Sequence, residues 1–204
     1  MRKYNIVRSI VTAIPGELLD SWLKSAPDRF VGGPACDLLE HLKPIDELKK
    51  EFLSGRYGLM GEMAMQYSSV KPDDAILDPY FALTEELDIP VLTHTAGIGA
   101  RRHEFRSAMG DPLLIEEVLK RHPKIRIYVE NAGYPFGDRI FTLLYQYPKV
   151  YADLSTITWV IPRTAFHDYL KRLVPAGFGD RRGRRSHRVC RIPYRQTKAG
   201  YLFQ

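Results

Sequence analysis

Six short apolar segments alternate with six segments of helical periodicity, and this alternation constrains the fold more than any other feature. The apolar segments are rich in Val, Ile, Leu, Tyr or Phe and cover residues 5–13, 30–34, 58–63, 89–94, 125–130 and 150–154. The helical segments cover residues 16–25, 44–54, 74–87, 112–121, 137–147 and 162–174. Strands that alternate with helices of this length predict βαβ units and a parallel sheet. The near-continuous apolar strands indicate a sheet that is covered on both faces.

Two parallel α/β architectures fit this pattern, a doubly wound sheet and a (β/α)8 barrel. A dinucleotide-binding doubly wound sheet has a G-x-G-x-x-G turn after its first strand, whereas residues 13–16 read AIPG. A barrel places polar side chains at the carboxyl ends of its strands, because its active site lies there. Such residues occur here, namely Glu62, His94, Glu130, Asn131 and Asp153. The sequence therefore predicts a (β/α)8 TIM barrel that is incomplete, because a whole one takes roughly 250 residues.

The excess of positive over negative charge lies at the end of the chain. The net charge is +6, but eight of the 30 basic residues lie in residues 181–204, which contain no Asp or Glu. The preceding 180 residues carry 22 basic and 24 acidic side chains. We therefore predict two regions, a partial barrel domain over residues 1–180 and an irregular basic tail over residues 181–204.

Several protein classes are excluded by composition. No segment approaches 18 consecutive apolar residues, so no membrane span is expected. The amino terminus lacks the apolar core of a secretory signal. The two cysteines, Cys36 and Cys190, form neither a disulfide framework nor a metal-knuckle spacing. These features predict a cytoplasmic protein.

His94 and Glu62 are the first two candidates for chemistry. His94 ends the segment IPVLTH and is followed by small residues, so its imidazole can face a cavity as a metal ligand or a base. The alternative is a structural histidine bonded to neighbouring backbone. Glu62 lies among apolar residues, where a carboxylate is costly to bury unless it is paired, protonated or metal-bound. Its alternative is an ordinary ion pair at the rim.

The next two strands end in further polar residues. Glu130 and Asn131 could orient a substrate, and Glu130 could also ligate a metal. The alternative for Asn131 is a turn in which its side chain bonds local backbone. Asp153 is interpreted as a cap of the loop that follows it. His103, in the loop 101–106, belongs to a charged stretch that either binds a substrate carboxylate or is simply solvated, and His41, His122 and His167 are interpreted as surface residues.

The middle of the chain resembles the amidohydrolase-related family of metal-dependent hydrolases and decarboxylases, which fold as (β/α)8 barrels. The resemblance rests on IPVLTHTAG at 89–97 and VENAGYP at 129–135, supported by APDRFVGG at 26–33 and YPKVYAD at 147–153. It covers roughly residues 4–180, as strands two to seven of the barrel. The order and spacing of these segments carry the resemblance more than any single motif.

The resemblance implies a divalent metal, zinc or manganese, and a small-molecule substrate. The family's metal ligand on the fifth strand maps onto His94, and Glu62 matches the end of the fourth strand, where some relatives place a carboxylate near the metal. At the sixth strand, Asn131 stands where the family often has a histidine, and Glu130 comes just before it. We therefore expect His94 and Glu62 to be metal ligands and Glu130 and Asn131 to be catalytic residues.

The chain also departs from the family at both ends. The family's His-x-His strand and its eighth-strand aspartate have no counterpart, so the barrel is expected to be truncated at both ends and its catalysis impaired. We expect residues from about 182 onward to be translated out of the ancestral reading frame, which sequencing of the gene would test. One alternative is a non-catalytic protein whose Arg-rich tail binds nucleic acid or acidic partners, although the confined charge makes nucleic acid a weak expectation. Another is a homo-oligomer that covers the open sheet edges.

Overall fold

Parallel strands and helices alternate along the chain, as the sequence predicts. The structure, a computed structural model, describes residues 6–13, 17–36, 39–99, 102–177, 189–190, 194–197 and 200–203. The first six strands are β1 (Ser9–Ala13), β2 (Phe30–Pro34), β3 (Met60–Met63), β4 (Val91–His94), β5 (Ile127–Glu130) and β6 (Val150–Asp153). The helices are α1 (Glu17–Ser25), α2 (Ile45–Leu53), α3 (Asp78–Glu86), α4 (Glu116–Arg121), α5 (Gly137–Gln146), α6 (Ile157–Val160) and α7 (Arg163–Gly177). The predicted segments and the observed elements coincide to within a few residues at their ends.

The strands lie side by side in chain order. β1 pairs with β2, and β3, β4, β5 and β6 form a parallel sheet. The two sheets are joined after β2, where Cys36 bridges to Met63 and its amide donates to the carbonyl of Glu62 at 2.7 Å. Parallel strands in chain order, connected by helices, form the incomplete (β/α)8 barrel that was predicted.

Three short strands lie within the segment for which the sequence predicted an irregular tail. β7 (Val189–Cys190) pairs in parallel with β6, and β8 (Tyr194–Thr197) forms an antiparallel pair with β9 (Gly200–Phe203). Their β-branched and aromatic residues favour extended backbone, which explains strands in a basic segment. The predicted boundary between residues 180 and 181 lies outside the described residues.

The core lies between the strands and the helices that cover them. Buried residues of the strands and of the helices between them form one hydrophobic cluster. Residues of this cluster with no exposed surface include Met60, Val91, Val129, Val150 and Ala152 on the strands and Val118, Ile140, Leu143, Leu144 and Leu173 on the helices. In the part of the chain that the structure describes, no helix combines the length and hydropathy that a bilayer span requires.

Two helix starts agree with the capping residues in the sequence. The Asp111 carboxylate accepts a hydrogen bond from the amide of Leu113 at 3.0 Å, with Pro112 in the first helical position. Asp74 accepts from the amide of Ile76 at 3.0 Å in the turn that leads into α3. Both carboxylates satisfy amides that have no partner within the helix.

The interpretation of His122 as a surface residue is wrong. Its side chain is buried at the end of α4, where Nε2 lies 3.1 Å from Asp78 Oδ1 and Nδ1 lies 3.4 Å from Glu85 Oε2. Both carboxylates come from α3, some forty residues earlier in the chain. A histidine beside basic residues is expected to be exposed. Partners this distant in the chain cannot be inferred from the local sequence.

The Tyr169 hydroxyl links α7 to the loop after β5, and a variant that lacks this hydroxyl should be less stable. Its buried hydroxyl donates to the carbonyl of Ala132 at 2.6 Å. Tyr169→Phe should lower the free energy of unfolding by about 1 kcal/mol, because the Ala132 carbonyl loses its partner. Chemical denaturation measures this loss. Tyr145→Phe is the control, since Tyr145 is 84% exposed on α5 and should be neutral; equal effects of the two variants would contradict the prediction.

Candidate metal centre

The carboxyl ends of β3, β4 and β5 bring three predicted site residues together. Glu62, His94 and Glu130 each offer one ligand atom, and these atoms all lie within 4.8 Å of one another. His94 and Glu130 are direct partners in the register of β4 and β5, so the pairing of the strands fixes their separation. Each belongs to a different strand, which is how a barrel assembles a site from distant parts of the chain.

Glu62 reaches this point because β3 is irregular. The register between β3 and β4 shifts between Met60 and Met63, and Gly61 has a φ of 115°. A Cβ at Gly61 would lie 2.2 Å from the carbonyl oxygen of Leu92, so only glycine allows β3 to approach β4 this closely. Bulges of this kind change the direction of a side chain next to an active site. The Glu62 carboxylate is thereby available at the edge of the sheet.

Glu130 is a buried carboxyl beside a second one. Its side chain is 3% exposed and its Oε1 accepts a hydrogen bond from Ser155 Oγ at 3.3 Å. The Thr95 hydroxyl holds the backbone at this position by donating to the Glu130 carbonyl at 2.8 Å. Burial is the main cause that raises the pKa of Glu130 well above its ordinary value, and the Glu62 carboxylate adds to the shift.

Burial shifts the pKa of His94 downward, whereas it shifts the pKa of Glu130 upward. Desolvation lowers the pKa of His94, and the Glu62 carboxylate opposes this effect. The imidazole is therefore neutral at physiological pH, which is the form that binds metals. Two aromatic rings stand beside it, with centroids 6.0 Å away for Tyr67 and 6.5 Å away for Phe105.

Asp153 is a cap, as interpreted, but it also belongs to the site. Its Oδ1 accepts from the amide of Ser155 at 2.6 Å and contacts the Ser155 hydroxyl, which is the predicted capping arrangement. The side chain is 1% exposed, and burial raises the pKa of Asp153 to about 6. The charge of Glu62 contributes to the same shift, so the two carboxylates are near enough to interact.

Asn131 lies beside the site and bonds a neighbouring loop. Its side chain is buried, and Oδ1 accepts from the amide of Thr156 at 3.2 Å. This contact joins the loop after β5 to the loop after β6, and it differs from the bond to local backbone that the sequence offered as the alternative. Asn131 also has a φ of 57°, a left-handed conformation that asparagine tolerates well.

The sequence did not single out Ser155, Tyr67 and Phe105. Ser155 follows Asp153 by two residues, and this spacing was a usable signal for a carboxylate–hydroxyl pair. Tyr67 and Phe105 lie in the loops after β3 and β4, where no periodicity marks a residue as facing a site. In the charged loop, Arg102 lies over the Tyr67 ring at 5.5 Å, while His103 is exposed.

The donor atoms at this point fit a divalent cation. His94 Nδ1, Glu130 Oε2 and Asp153 Oδ2 are buried and have no hydrogen-bond partner. Unpaired polar atoms in a buried position cost free energy, and a cation bound by His94 and Glu130 removes that cost for these two residues. One imidazole nitrogen with carboxylate oxygens is a donor set that both zinc and manganese accept. The residues that are present therefore fit the group that the sequence predicted.

Comparison with known proteins agrees with this architecture. A family model described as amidohydrolase matches residues 1–181. No curated protein matches the chain significantly. An uncharacterized TIM-barrel protein of Bordetella bronchiseptica superposes with a TM-score of 0.58 at 19% identity, over 75% of this chain and 52% of that one.

Two enzymes of known reaction share the fold. The 4-oxalomesaconate hydratase of Rhodopseudomonas palustris has a TM-score of 0.55 at 17% identity, over 82% of this chain and 59% of its own. A dihydroxybenzoic acid decarboxylase of a Polaromonas species, solved with bound manganese and the inhibitor 2-nitroresorcinol, has a TM-score of 0.51 at 14% identity, over 76% and 59%. The chain thus spans between half and three fifths of the length of these structures.

Proposed function

The chain belongs to the amidohydrolase family, and on this premise we propose that it is a metal-dependent hydrolase of a small molecule. The observation that carries the proposal is the convergence of Glu62, His94 and Glu130 within 4.8 Å, with buried, unpartnered polar atoms on His94 and Glu130. Three protein ligands with an open position are the usual composition of a catalytic metal site. The proposed reaction is attack of water on a carbonyl or similar centre.

The roles of the ligands follow from their surroundings. Glu62 and His94 would hold the ion, because one is a carboxylate at an irregular strand and the other a neutral imidazole. Glu130 would serve as third ligand or as the base. Carboxylates suit manganese and imidazole suits zinc, so both ions are candidates. Manganese is the first probe, since the Polaromonas enzyme contains it.

Proton handling is assigned to the Glu130 carboxyl. A bound divalent ion supplies Lewis-acid polarisation of a substrate oxygen and acidification of water. Burial and the Glu62 charge raise the pKa of Glu130, so its carboxyl holds a proton to higher pH than an exposed glutamate does. Asn131 contributes by position, because its bond to Thr156 holds the two loops beside the site together.

Decarboxylation of an acid that carries a ring is the second candidate reaction. The rings of Tyr67 and Phe105 are 4.8 Å apart, and both stand beside His94. Aromatic faces at this position suit a planar substrate, since aromatic rings stack or meet edge to face at such distances. The Polaromonas enzyme acts on a dihydroxybenzoic acid, which is a substrate of this shape.

Slow turnover is part of the proposal. The ligands come from the three neighbouring strands β3, β4 and β5. The sequences of β1 and β2, SIVTA and FVGGP, contain no histidine, cysteine or carboxylate. The ion would therefore be held from one side, with weaker affinity than a centre that is ligated from across the barrel.

Metal removal is the test of this function. Protein stripped with a chelator and then reloaded with Mn²⁺ or Zn²⁺ is assayed on aryl and alkyl amides, esters and hydroxybenzoates. We expect activity only in the reloaded samples, with carbon dioxide release separating decarboxylation from hydrolysis. Glu62→Gln should gain no activity on reloading. Glu104→Gln, which changes an exposed carboxylate, should gain as much activity as the unmodified chain. Equal activity of stripped and reloaded protein contradicts the proposal.

A further inference from the structure

One hydroxyl group lies between two buried carboxyl groups that come from adjacent strands. Ser155 Oγ lies 3.3 Å from Glu130 Oε1 and closer to Asp153 Oδ1, and it donates its single proton to one of these oxygens at a time. The Ser155 side chain is 1% exposed, so no solvent competes for these contacts. Its amide donates to the same Asp153 oxygen at 2.6 Å, which fixes the serine from two sides.

This arrangement exceeds what a cap requires. A capping pair is complete once Asp153 has bonded the Ser155 amide. The hydroxyl nevertheless reaches a carboxylate 25 residues earlier in the chain. On Glu130 it engages only Oε1, and Oε2 is left buried without a partner. One oxygen of Glu130 is thus held in place while the other is free to bind an ion.

We propose that Ser155, anchored by Asp153, is a positioning residue that holds the Glu130 carboxylate so that its Oε2 faces the divalent ion. This inference rests on the proposed metal-dependent function. Hydrogen-bond partners behind a ligand fix its orientation, and their loss typically costs about 10- to 100-fold in metal affinity. Without the hydroxyl, the Glu130 carboxylate can rotate away from the ion.

Calorimetric titration of the chain with Mn²⁺ tests the assignment. Ser155→Ala should weaken Mn²⁺ binding by about 10- to 100-fold. Ser155→Thr retains a hydroxyl and should recover most of the affinity. Thr158→Ala is the matched control, because the Thr158 hydroxyl donates to the carbonyl of Ser155 at 2.9 Å without touching a carboxylate. Melting temperatures of the metal-free variants report any general loss of structure.

The outcomes separate this inference from the function on which it rests. Weak binding by Ser155→Ala alone, with recovery in Ser155→Thr, supports the positioning role. Wild-type affinity in folded Ser155→Ala overturns it and leaves the metal-dependent function intact. Equal weakening in Thr158→Ala and Ser155→Ala also overturns it, because the loop then acts only through its packing. Absence of Mn²⁺ binding by the unmodified chain overturns the function and, with it, the positioning role.

Discussion

His94→Ala is expected to abolish stoichiometric metal binding and to weaken the affinity for Mn²⁺ by more than about 100-fold, beyond the loss of an outer partner. His94 supplies the nitrogen ligand among the three converging side chains. Burial keeps its imidazole neutral, so it binds a cation without first losing a proton. Its removal leaves two carboxylates, which is one ligand fewer than a catalytic site normally has. Calorimetry and elemental analysis of the purified variant measure the loss.

A second histidine provides the control for this experiment. His103 lies exposed in the loop after β4, nine residues further along the chain. His103→Ala should bind Mn²⁺ as the unmodified chain does. If His94→Ala retained the affinity and the stoichiometry of the unmodified chain, the ion would lie elsewhere and the assignment of the centre would be wrong.

The Asp153 carboxyl is expected to make the metal-free chain less stable as pH rises from about 4 to 6. Burial raises the pKa of Asp153 from its ordinary value of 3.8 to about 6, so the folded chain binds this proton more tightly than the unfolded chain does. The contribution of Asp153 to stability therefore falls with pH across this interval, by about 3 kcal/mol. The raised pKa of Glu130 extends the decline to higher pH.

Asp153→Asn tests this dependence, because asparagine keeps the shape and the accepting oxygen without the charge. The variant should be more stable than the unmodified chain above pH 6, and its denaturation midpoint should change less between pH 4 and 6. Saturating Mn²⁺ should make the stability of the unmodified chain depend less steeply on pH, since a cation stabilises the charged carboxylates. Asp168→Asn, at an exposed aspartate, is the control. Lower stability of Asp153→Asn at pH 7, with an unchanged slope, contradicts the account.

The strands and the convergence of three polar residues can both be predicted from the sequence, because both follow from buried parallel strands. Buried parallel strands need continuous apolar segments, and these segments are visible in the sequence. The carboxyl ends of parallel strands lie at the same edge of the sheet, so polar residues at those ends converge. Glu62, His94 and Glu130 were predicted in this way, and the structure brings them within 4.8 Å.

The parts that could not be predicted depend on loops and on distant partners. Tyr67 and Phe105 face His94 from loops whose paths no periodicity encodes. The sequence predicts only a cap at Asp153, because its burial beside Glu62 depends on how β6 packs in the barrel. The local sequence indicates a surface position for His122, because its partners lie on another helix. The local sequence pattern predicts the periodic helices and strands, whereas contacts between loops depend on the assembled fold.

Anomalous diffraction from crystals of the chain grown or soaked with Mn²⁺ tests the central claim most directly. The claim is that Glu62, His94 and Glu130 together hold one divalent ion. We predict a single strong manganese peak between these three side chains, absent from crystals of His94→Ala treated in the same way. A saturating concentration of Mn²⁺ that gives no peak there, or a peak only at another position, would contradict the account.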